Sequence, residues 1–344
     1  MERIPLTELT RLPFVDHSPS DGRRVILAPY YEPNHRDWHL YIRTDAESLG
    51  RMAGGEPVYG GYFGKVAADA GRDIELPLAT LVTQHLSFPK VYGRLQGLEN
   101  DIHQFAAIME KYHRICAISA EPHISPGLLA ASELEYLLLL LRSMYDLLQG
   151  IVAAIAGLFV ALDDRSRRIV KELPDSFRDV VMKGDELRSG DQIVEKYRLP
   201  PQLANWYVAE APAFREVRRL RDSIAHHGRT VPTIFELQEG LGLIVSDPIW
   251  SDYAVWPREA RVDDKFGSVR ALFAGLMLTG IGATARFADA IESCIQLPEA
   301  IGDGIRSYLR SPFGHWLIDL PNILADPWEH VRPGSGEAAT NNVH

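Results

Sequence analysis

Residues 131–162, ASELEYLLLLLRSMYDLLQGIVAAIAGLFVAL, decide the fold class of this chain. Apolar residues such as Leu134 and Leu148 recur there at the three- and four-residue spacing of an α-helix. Ser132 is a candidate N-cap for this helix, and Glu135 would complete a capping box with it. Apolar side chains also occupy the other faces of the helix, which predicts a position in the centre of a helical bundle.

Further helices are predicted on both sides of this central one. The apolar spacing indicates long helices near 92–118, 212–228 and 265–297, and a shorter helix near 298–309. Pro212 suits the first turn of its helix, because that turn does not need the missing N–H. We therefore expect a mainly α protein, and an antiparallel helical bundle is the natural packing for these helices.

Two parts of the sequence predict β-structure. Residues 1–87 are β-rich, with strand patterns at 25–28 and 38–43 and glycine pairs that indicate turns. Residues 231–262 predict a β-hairpin insertion before the last long helix. The expected organisation is a β-rich region at 1–87, a helical bundle at 88–310, and a C-terminal extension at 311–344 that ends in a disordered tail.

The composition excludes several classes of protein. The 344 residues carry a net charge of −10 with a pI near 5.7, which disfavours sequence-independent coating of nucleic acid. Cys116 and Cys294 form no disulfide framework or zinc pattern, and no secretory signal is visible, so we expect a cytoplasmic protein. The uncharged stretches 147–162 and 271–285 are shorter than the ~20 apolar residues that span a bilayer, so no membrane partner is expected.

The stretch 221–228, RDSIAHHG, carries the most specific chemical motif of the chain. Asp222 and His226 are four residues apart, so their side chains can meet on one helix face, where the carboxylate would orient the imidazole. Arg221 lies about 140° around the helix from His226, at the margin of an apolar stripe. Arg221 and His226 would therefore converge only at a groove or across an interface with a second copy. The stripe consists of Phe214, Val217, Leu220 and Ile224.

These residue types suit chemistry on a phosphodiester. Arg221 would hold the phosphate, and His226, with an ordinary pKa of ~6.5, would move a proton to or from a 2′-hydroxyl or a leaving 5′-oxygen. Five arginines and two carboxylates between 214 and 229 give a local charge of +3 that would attract an RNA backbone. A purely structural role is the alternative, since an Asp–His pair near a helix C-terminus stabilises the helix. The candidate substrate-binding residues are Arg215, Arg218, Arg219 and Arg229.

The motif and the long helices before it resemble the HEPN superfamily of helical-bundle proteins. The hallmark of that superfamily is an arginine, commonly followed by a polar residue, and then a histidine after four to six intervening residues, at the end of a late bundle helix. Arg221, Asp222 and His226 match this pattern with four intervening residues, and His227 matches it with five. His227 is therefore an alternative to His226 in the histidine role.

The HEPN resemblance implies a homodimer in which two motifs face each other across a cleft. It also implies a metal-independent endoribonuclease that uses the 2′-hydroxyl of RNA as nucleophile. Such enzymes are often toxins or antiviral defence effectors, so an antitoxin or regulatory protein is an implied partner. Other members of the superfamily are non-catalytic modules for nucleotide or RNA binding or for dimerisation, and this alternative stays open for the present chain.

The remaining patterns of the sequence are weaker, and from them we predict neither a cofactor nor a metal site. His35, Asp37 and His39 have the alternating spacing of metal ligands on a strand, but the preceding Pro33 favours a surface hairpin. Polar residues on the central helix would either support the Arg–His site or form a satisfied buried network, and we favour the network. These residues are Arg142, Tyr145, Asp146 and Gln149. His103 and His113 are expected to be packed or solvated helix residues.

Overall fold

The structure is a computed structural model that describes residues 2–5, 27–43, 48–85, 89–117, 125–156, 172–226, 231–250, 256–295, 297, 300 and 304–328. Within these ranges the chain forms eight α-helices, four of which are long. The helices are α1 (Pro77–His85), α2 (Pro89–Ala117), α3 (Pro126–Ile155), α4 (Phe177–Val181), α5 (Gly190–Tyr197), α6 (Pro201–His226), α7 (Val269–Glu292) and α8 (His315–Ala325).

The long helix α3 lies at the centre of the helical part, as its apolar residues predict. It contacts α2, α6 and α7, and α6 and α7 contact each other. Leu134, Leu141 and Leu148 of α3 are fully buried in this core, because apolar positions on several faces of α3 meet a different neighbouring helix. The expectation of a mainly α protein is confirmed at this level.

The strands of the described ranges form three sheets. The large sheet has seven strands in the order β1-β4-β3-β2-β5-β13-β6, a second has four in the order β11-β12-β10-β9, and a third pairs β7 with β8. Within the large sheet β2 and β5 are parallel, whereas the other neighbours are antiparallel. The strands are β1 (Glu2–Pro5), β2 (Leu27–Glu32), β3 (Asp37–Arg43), β4 (Ser48–Gly54), β5 (Gly60–Gly64), β6 (Asp73–Glu75), β7 (Met182–Lys183), β8 (Glu186–Leu187), β9 (Phe235–Leu237), β10 (Gly240–Ile244), β11 (Arg261–Val262), β12 (Phe266–Ser268) and β13 (Arg306–Arg310).

The start of α3 differs from the prediction. The helix begins at Pro126 after an extended Ser125 with φ −106° and ψ 93°, so Ser132 is not its N-cap. Proline is favoured at the first helical position, and this signal outweighs the Ser–Glu pattern six residues later. Ser132 instead donates its hydroxyl to the Leu128 carbonyl, 3.3 Å away, inside the helix.

The start of α6 was also predicted wrongly. The helix begins at Pro201, and Pro212 lies inside it rather than in its first turn. Pro201 fills the first helical position, and the buried residues Tyr207 and Ala211 continue the apolar stripe of Phe214 toward the N-terminus. Residues 201–211, which the sequence analysis left outside the helix near 212–228, therefore belong to α6.

Two predictions near the C-terminal end need correction. In the range 298–309, expected to be helical, residues 306–309 belong to strand β13, which lies between β5 and β6 of the large sheet. Helix α7 begins at Val269, not near 265, because Phe266–Ser268 forms strand β12 and the Ser268 side chain caps the helix by accepting from the Ala271 N–H at 3.1 Å. The sequence analysis assigned residues 88–310 to the bundle. Of the described strands in that range, only β13 belongs to the large sheet.

The insertion before α7 is larger than the predicted hairpin. Strands β9 and β10 pair as expected, but β12 adds to β10 and β11 adds to β12, which makes four strands. The tail from residue 332 onward, which is predicted to be disordered, lies outside the described residues.

Helices α3 and α7 are long and apolar enough to cross a membrane by length and composition alone. In each helix, however, the most apolar window is 61% buried inside the protein. The core helices of a soluble protein pass the same test, because burial in a bundle selects the same apolar residues. The structure is thus compatible with a soluble protein.

Candidate functional site

The candidate site lies in the last turns of α6, where the predicted stripe packs into the bundle. Phe214, Val217 and Leu220 are buried, which orients the opposite face of the helix toward solvent. His226 is the last residue of α6, but its side chain and that of Ile224 lie outside the described residues, as do His227 and Arg229. The structure therefore describes the arginine and carboxylate half of the motif.

Asp222 is held by two arginines of its own helix. Its Oδ2 lies 3.3 Å from Nε of Arg218, and its Oδ1 lies 3.3 Å from Nη1 of Arg221. All three side chains are half-buried, so these ion pairs are shielded from solvent on one side only. The predicted pair of Asp222 with His226 stays a prediction, because nothing is described of the imidazole.

The guanidinium of Arg221 keeps an unused hydrogen-bond donor. Arg221 is 28% exposed, and its Nε is buried without a hydrogen-bond partner among the described residues. A buried guanidinium N–H without an acceptor is costly. Because this Nε is closed off from solvent, it is the exposed part of the guanidinium that is suited to meet an anionic oxygen. This is the position predicted for Arg221, at the margin between the apolar stripe and the polar face.

The other arginines predicted to bind substrate differ in availability. Arg219 donates to Glu216, with its Nε 2.9 Å from Oε2, and to the Ile249 carbonyl at 2.5 Å. Arg218 contacts Asp222 and the Met182 sulfur, the latter at 3.5 Å, whereas Arg215 is exposed. The positive charge of Arg219 is therefore compensated by Glu216, whereas Arg218 and Arg221 share the one carboxylate of Asp222, which leaves net positive charge at this end of α6 to attract a phosphate.

The polar residues of α3 form hydrogen bonds that match the predicted buried network. Asp146 pairs with Arg142 at 3.2 Å and accepts from the Phe177 N–H at 3.0 Å, at the first residue of α4. Gln149 donates to the Pro174 carbonyl at 2.7 Å and accepts from the Tyr207 hydroxyl. These contacts tie α3 to α4 and α6, so they position the bundle that carries the motif.

Glu210 is a buried charged residue that the sequence analysis missed. It lies on α6 under Tyr145, whose hydroxyl donates to it at 3.3 Å, and Arg286 of α7 binds both of its carboxylate oxygens at 2.6 and 3.1 Å. The hydrogen bonds to Glu210 raise the pKa of Arg286. The sequence signal for Glu210 is that it is the one acidic residue between the buried positions Tyr207 and Ala211. That signal can be recognised only when the helix begins at Pro201.

His35 and His39 lie on a surface hairpin, as predicted. The turn at 33–36 joins β2 to β3, and Arg36 adopts the left-handed conformation with φ 54°. Among the described residues, no group of three or more histidine, cysteine, aspartate or glutamate side chains is arranged to hold a metal ion.

Comparisons of the chain with protein-family models, curated proteins and solved structures found no match. The HEPN resemblance consequently depends on the motif and on the order of the helices.

Proposed function

We propose that this protein is a HEPN-like, metal-independent endoribonuclease whose cleavage site is the C-terminal end of α6. The observation that carries the proposal is the partly exposed guanidinium of Arg221, five residues before His226 on α6, whose Nε has no hydrogen-bond partner among the described residues. A guanidinium with a spare donor at a partly exposed helix end is suited to bind a phosphate oxygen.

The proposed roles follow from the residue types. Arg221 binds the scissile phosphate, and Asp222 keeps Arg221 in place through its 3.3 Å contact and orients His226. One imidazole removes the proton from the 2′-hydroxyl as the 2′-oxygen bonds to phosphorus. The bond from phosphorus to the 5′-oxygen breaks, and a second imidazole, already protonated, donates to that oxygen. The products are a 2′,3′-cyclic phosphate and a 5′-hydroxyl.

A second copy of the chain supplies the second imidazole in this proposal. On a single helix Arg221 and His226 point about 140° apart, so one copy does not place both on the same phosphate. Two motifs facing each other across a two-fold axis would bring together two arginines and two histidines. The site in one chain is thus half of a shared cleft.

The expected cellular setting is part of the same proposal. A cytoplasmic ribonuclease of this kind acts as a toxin or antiviral defence effector, and an antitoxin or other regulatory protein would restrain it. Cys116 and Cys294 are free and buried, which agrees with a reducing compartment.

The test is cleavage of RNA in the presence of EDTA by the full chain and its variants. We expect His226→Ala to lower the rate roughly 10²–10⁴-fold, and Arg221→Ala to lower it roughly 10²–10³-fold. Arg258→Ala is the control, an exposed arginine outside α6 that has no proposed role in binding RNA, and it should leave the rate nearly unchanged. His227→Ala decides which histidine acts. Equal cleavage by wild type and all histidine variants would refute the proposal.

A non-catalytic HEPN-like module for nucleotide or RNA binding or for dimerisation is the second candidate. The observation in its favour is the local compensation of Arg218 by Asp222 and of Arg219 by Glu216, which leaves less positive charge for a transition state. This candidate predicts RNA binding that weakens in Arg215→Ala, together with no cleavage that depends on His226.

A further inference from the structure

A pair of polar side chains on α2 faces the large sheet without polar partners. Glu99 and His103 are four residues apart, so they lie one above the other on one helix face. A Cβ atom at Gly61 of β5 would lie 3.5 Å from Oε1 of Glu99, which shows how closely the carboxyl group approaches the strand. His103 stacks on Tyr59, with ring centroids 4.0 Å apart and an angle of 28°.

His103 lacks a hydrogen bond although it is buried. It is 5% exposed, and its Nδ1 is buried with no hydrogen-bond partner among the described residues. Glu99 is partly buried, and burial alone raises its pKa to about 7, with no cation of the described ranges offsetting it. Since buried polar groups in folded proteins are almost always satisfied, the unpartnered imidazole one turn from this carboxyl indicates a place for a ligand.

Other carboxylates of α2 differ from Glu99. Glu110 accepts from Arg114 at 2.7 Å and from the Trp316 indole at 2.9 Å, and these bonds lower its pKa. Asp101 is also partly buried and one of its oxygens, Oδ2, has no hydrogen-bond partner among the described residues, but it faces α3, where Ser143 hydrogen-bonds to the carboxyl group. Glu99 differs from both of these carboxylates. It is partly buried, it lies on the side of α2 that faces the sheet, and the imidazole of His103 lies one helical turn away.

The surroundings of Glu99 add aromatic faces and an exposed rim. Tyr92 lies on the same side of α2, close enough for its charge interaction with Glu99 to raise the tyrosine pKa, together with burial, to about 12. Tyr59 is 55% exposed and covers His103 from the loop between β4 and β5. Gly60, which follows Tyr59, has φ +117°, a conformation that suits glycine and lets the loop turn over the helix.

We propose that Glu99 and His103 bind a guanidinium group beneath Tyr59. Two carboxylate oxygens and one imidazole nitrogen offer three acceptors about one helical turn apart, and a planar guanidinium has five N–H donors in a fixed fork. The flat face of a guanidinium also packs on aromatic rings. The guanidinium comes either from a free small molecule or from an arginine side chain of a protein segment. This inference is independent of the proposed ribonuclease activity.

The protonation states agree with this ligand. Burial lowers the pKa of His103 to about 4, so the imidazole is neutral near pH 7 and its Nδ1 can accept a hydrogen bond. Glu99 must lose its proton to bind a cation, so binding should strengthen as pH rises from 6 to 8. Among the described residues, the titratable groups around this pair are Tyr92, which interacts electrostatically with Glu99, and Tyr59, which stacks on His103.

The experiment is calorimetric titration of the full chain with butylguanidinium and, separately, with butylammonium at pH 8. We expect saturable binding of butylguanidinium, weaker binding of butylammonium, and a roughly tenfold to hundredfold loss of guanidinium affinity in Glu99→Gln. Asp101→Asn is the matched control, because it neutralises a partly buried carboxyl of the same helix that faces α3, and it should bind as wild type does. The tripeptide Gly-Arg-Gly distinguishes the sources, since tighter binding of the peptide than of butylguanidinium indicates an arginine from a protein.

Three results would overturn the proposal. These are no saturable binding of either guanidinium probe to wild type, equal affinity in Glu99→Gln, or equal affinity for butylguanidinium and butylammonium. Should Glu99→Gln fail to fold, Tyr59→Ala provides the same test at an exposed position, with an expected loss of roughly fivefold to tenfold. Unchanged affinity in that variant would also count against the site.

Discussion

Two arginine–aspartate pairs in this protein have opposite characters. In the large sheet, Arg310 is 2% exposed and donates two hydrogen bonds to Asp73, from Nε to Oδ1 at 2.8 Å and from Nη2 to Oδ2 at 2.7 Å. At the end of α6, Arg221 meets Asp222 through one 3.3 Å contact, and its Nε–H has no acceptor in the part of the chain that the structure describes. The first pair has its hydrogen-bonding capacity filled, whereas the second has capacity to spare.

Neighbouring groups fill the remaining hydrogen-bonding capacity of the Arg310–Asp73 pair. The Tyr62 hydroxyl donates to Asp73 at 2.6 Å, and the Asp69 N–H donates to it at 2.8 Å. The Arg310 guanidinium lies 5.2 Å from the ring centroid of Trp38 and 5.6 Å from that of Tyr62, and it also pairs with Glu56. The hydrogen bonds to Asp73 raise the pKa of Arg310. A charged pair of this kind fixes structure, while the incomplete pair on α6 is suited to a ligand.

Breaking the complete pair should give the largest effect. Arg310→Met leaves the carboxylate of Asp73 buried without its cation, so we expect the free energy of unfolding to fall by about 3–5 kcal/mol. Urea unfolding followed by circular dichroism measures this change. The double variant Arg310→Met with Asp73→Asn should recover part of the loss. A loss below about 1 kcal/mol in the single variant would show that the pair is not structural.

Glu99 extends the comparison to a partly buried carboxyl that has no arginine partner among the described residues. Its pKa is raised to about 7, so the folded protein keeps a proton that the unfolded chain releases above its ordinary pKa of 4.5. The unfolding free energy therefore falls as pH rises through this window, and Glu99→Gln removes that fall. We expect the variant to gain stability relative to wild type between pH 5 and pH 8, by about 1–3 kcal/mol.

The measurement for Glu99 is urea unfolding of both proteins at pH 5, 6, 7 and 8. His103, whose pKa is lowered to about 4, gives the opposite slope below pH 6.5, but it is present in both proteins and largely cancels in their difference. A stability difference that does not change with pH would mean that Glu99 is solvated or paired in the folded protein.

The incomplete pair should matter least for stability. Arg221→Ala removes one partly exposed contact, so we expect a loss below about 1 kcal/mol in the free energy of unfolding. Arg215→Ala is the control for the exposed face of the same helix and should change stability still less. A loss above about 2 kcal/mol in Arg221→Ala would place this arginine with Arg310 among the structural residues.

The local parts of the fold follow from the sequence, and the non-local parts do not. The spacing of Leu134, Leu141 and Leu148 predicts a central helix, because periodicity is a property of neighbouring residues. Strand β13 was missed because its strand character comes from pairing with β5 and β6, more than 200 residues earlier. The Arg310–Asp73 pair depends on the same distant pairing, so no local pattern could reveal it.

At the candidate site, too, the sequence predicts the position of a residue on its helix but not which side chains pair. The sequence correctly placed Arg221 at the edge of the apolar stripe, since angles around a helix follow from residue number. It could not decide the partner of Asp222, because Arg218 and His226 are each four residues away and both are suited to a carboxylate. The structure shows Arg218 in contact with Asp222 at 3.3 Å, and it describes no position for the imidazole of His226.

The central claim is that the incomplete Arg221 pair is half of a cleavage site shared by two copies. The most direct measurement refolds wild type together with an equal amount of His226→Ala and follows RNA cleavage in EDTA. Because each cleft needs an imidazole from both copies, only dimers of two wild-type chains should cleave, and activity should fall to about one quarter of that of the same total amount of wild type. A fall to only about one half, as expected when each chain carries a complete site of its own, would contradict the claim.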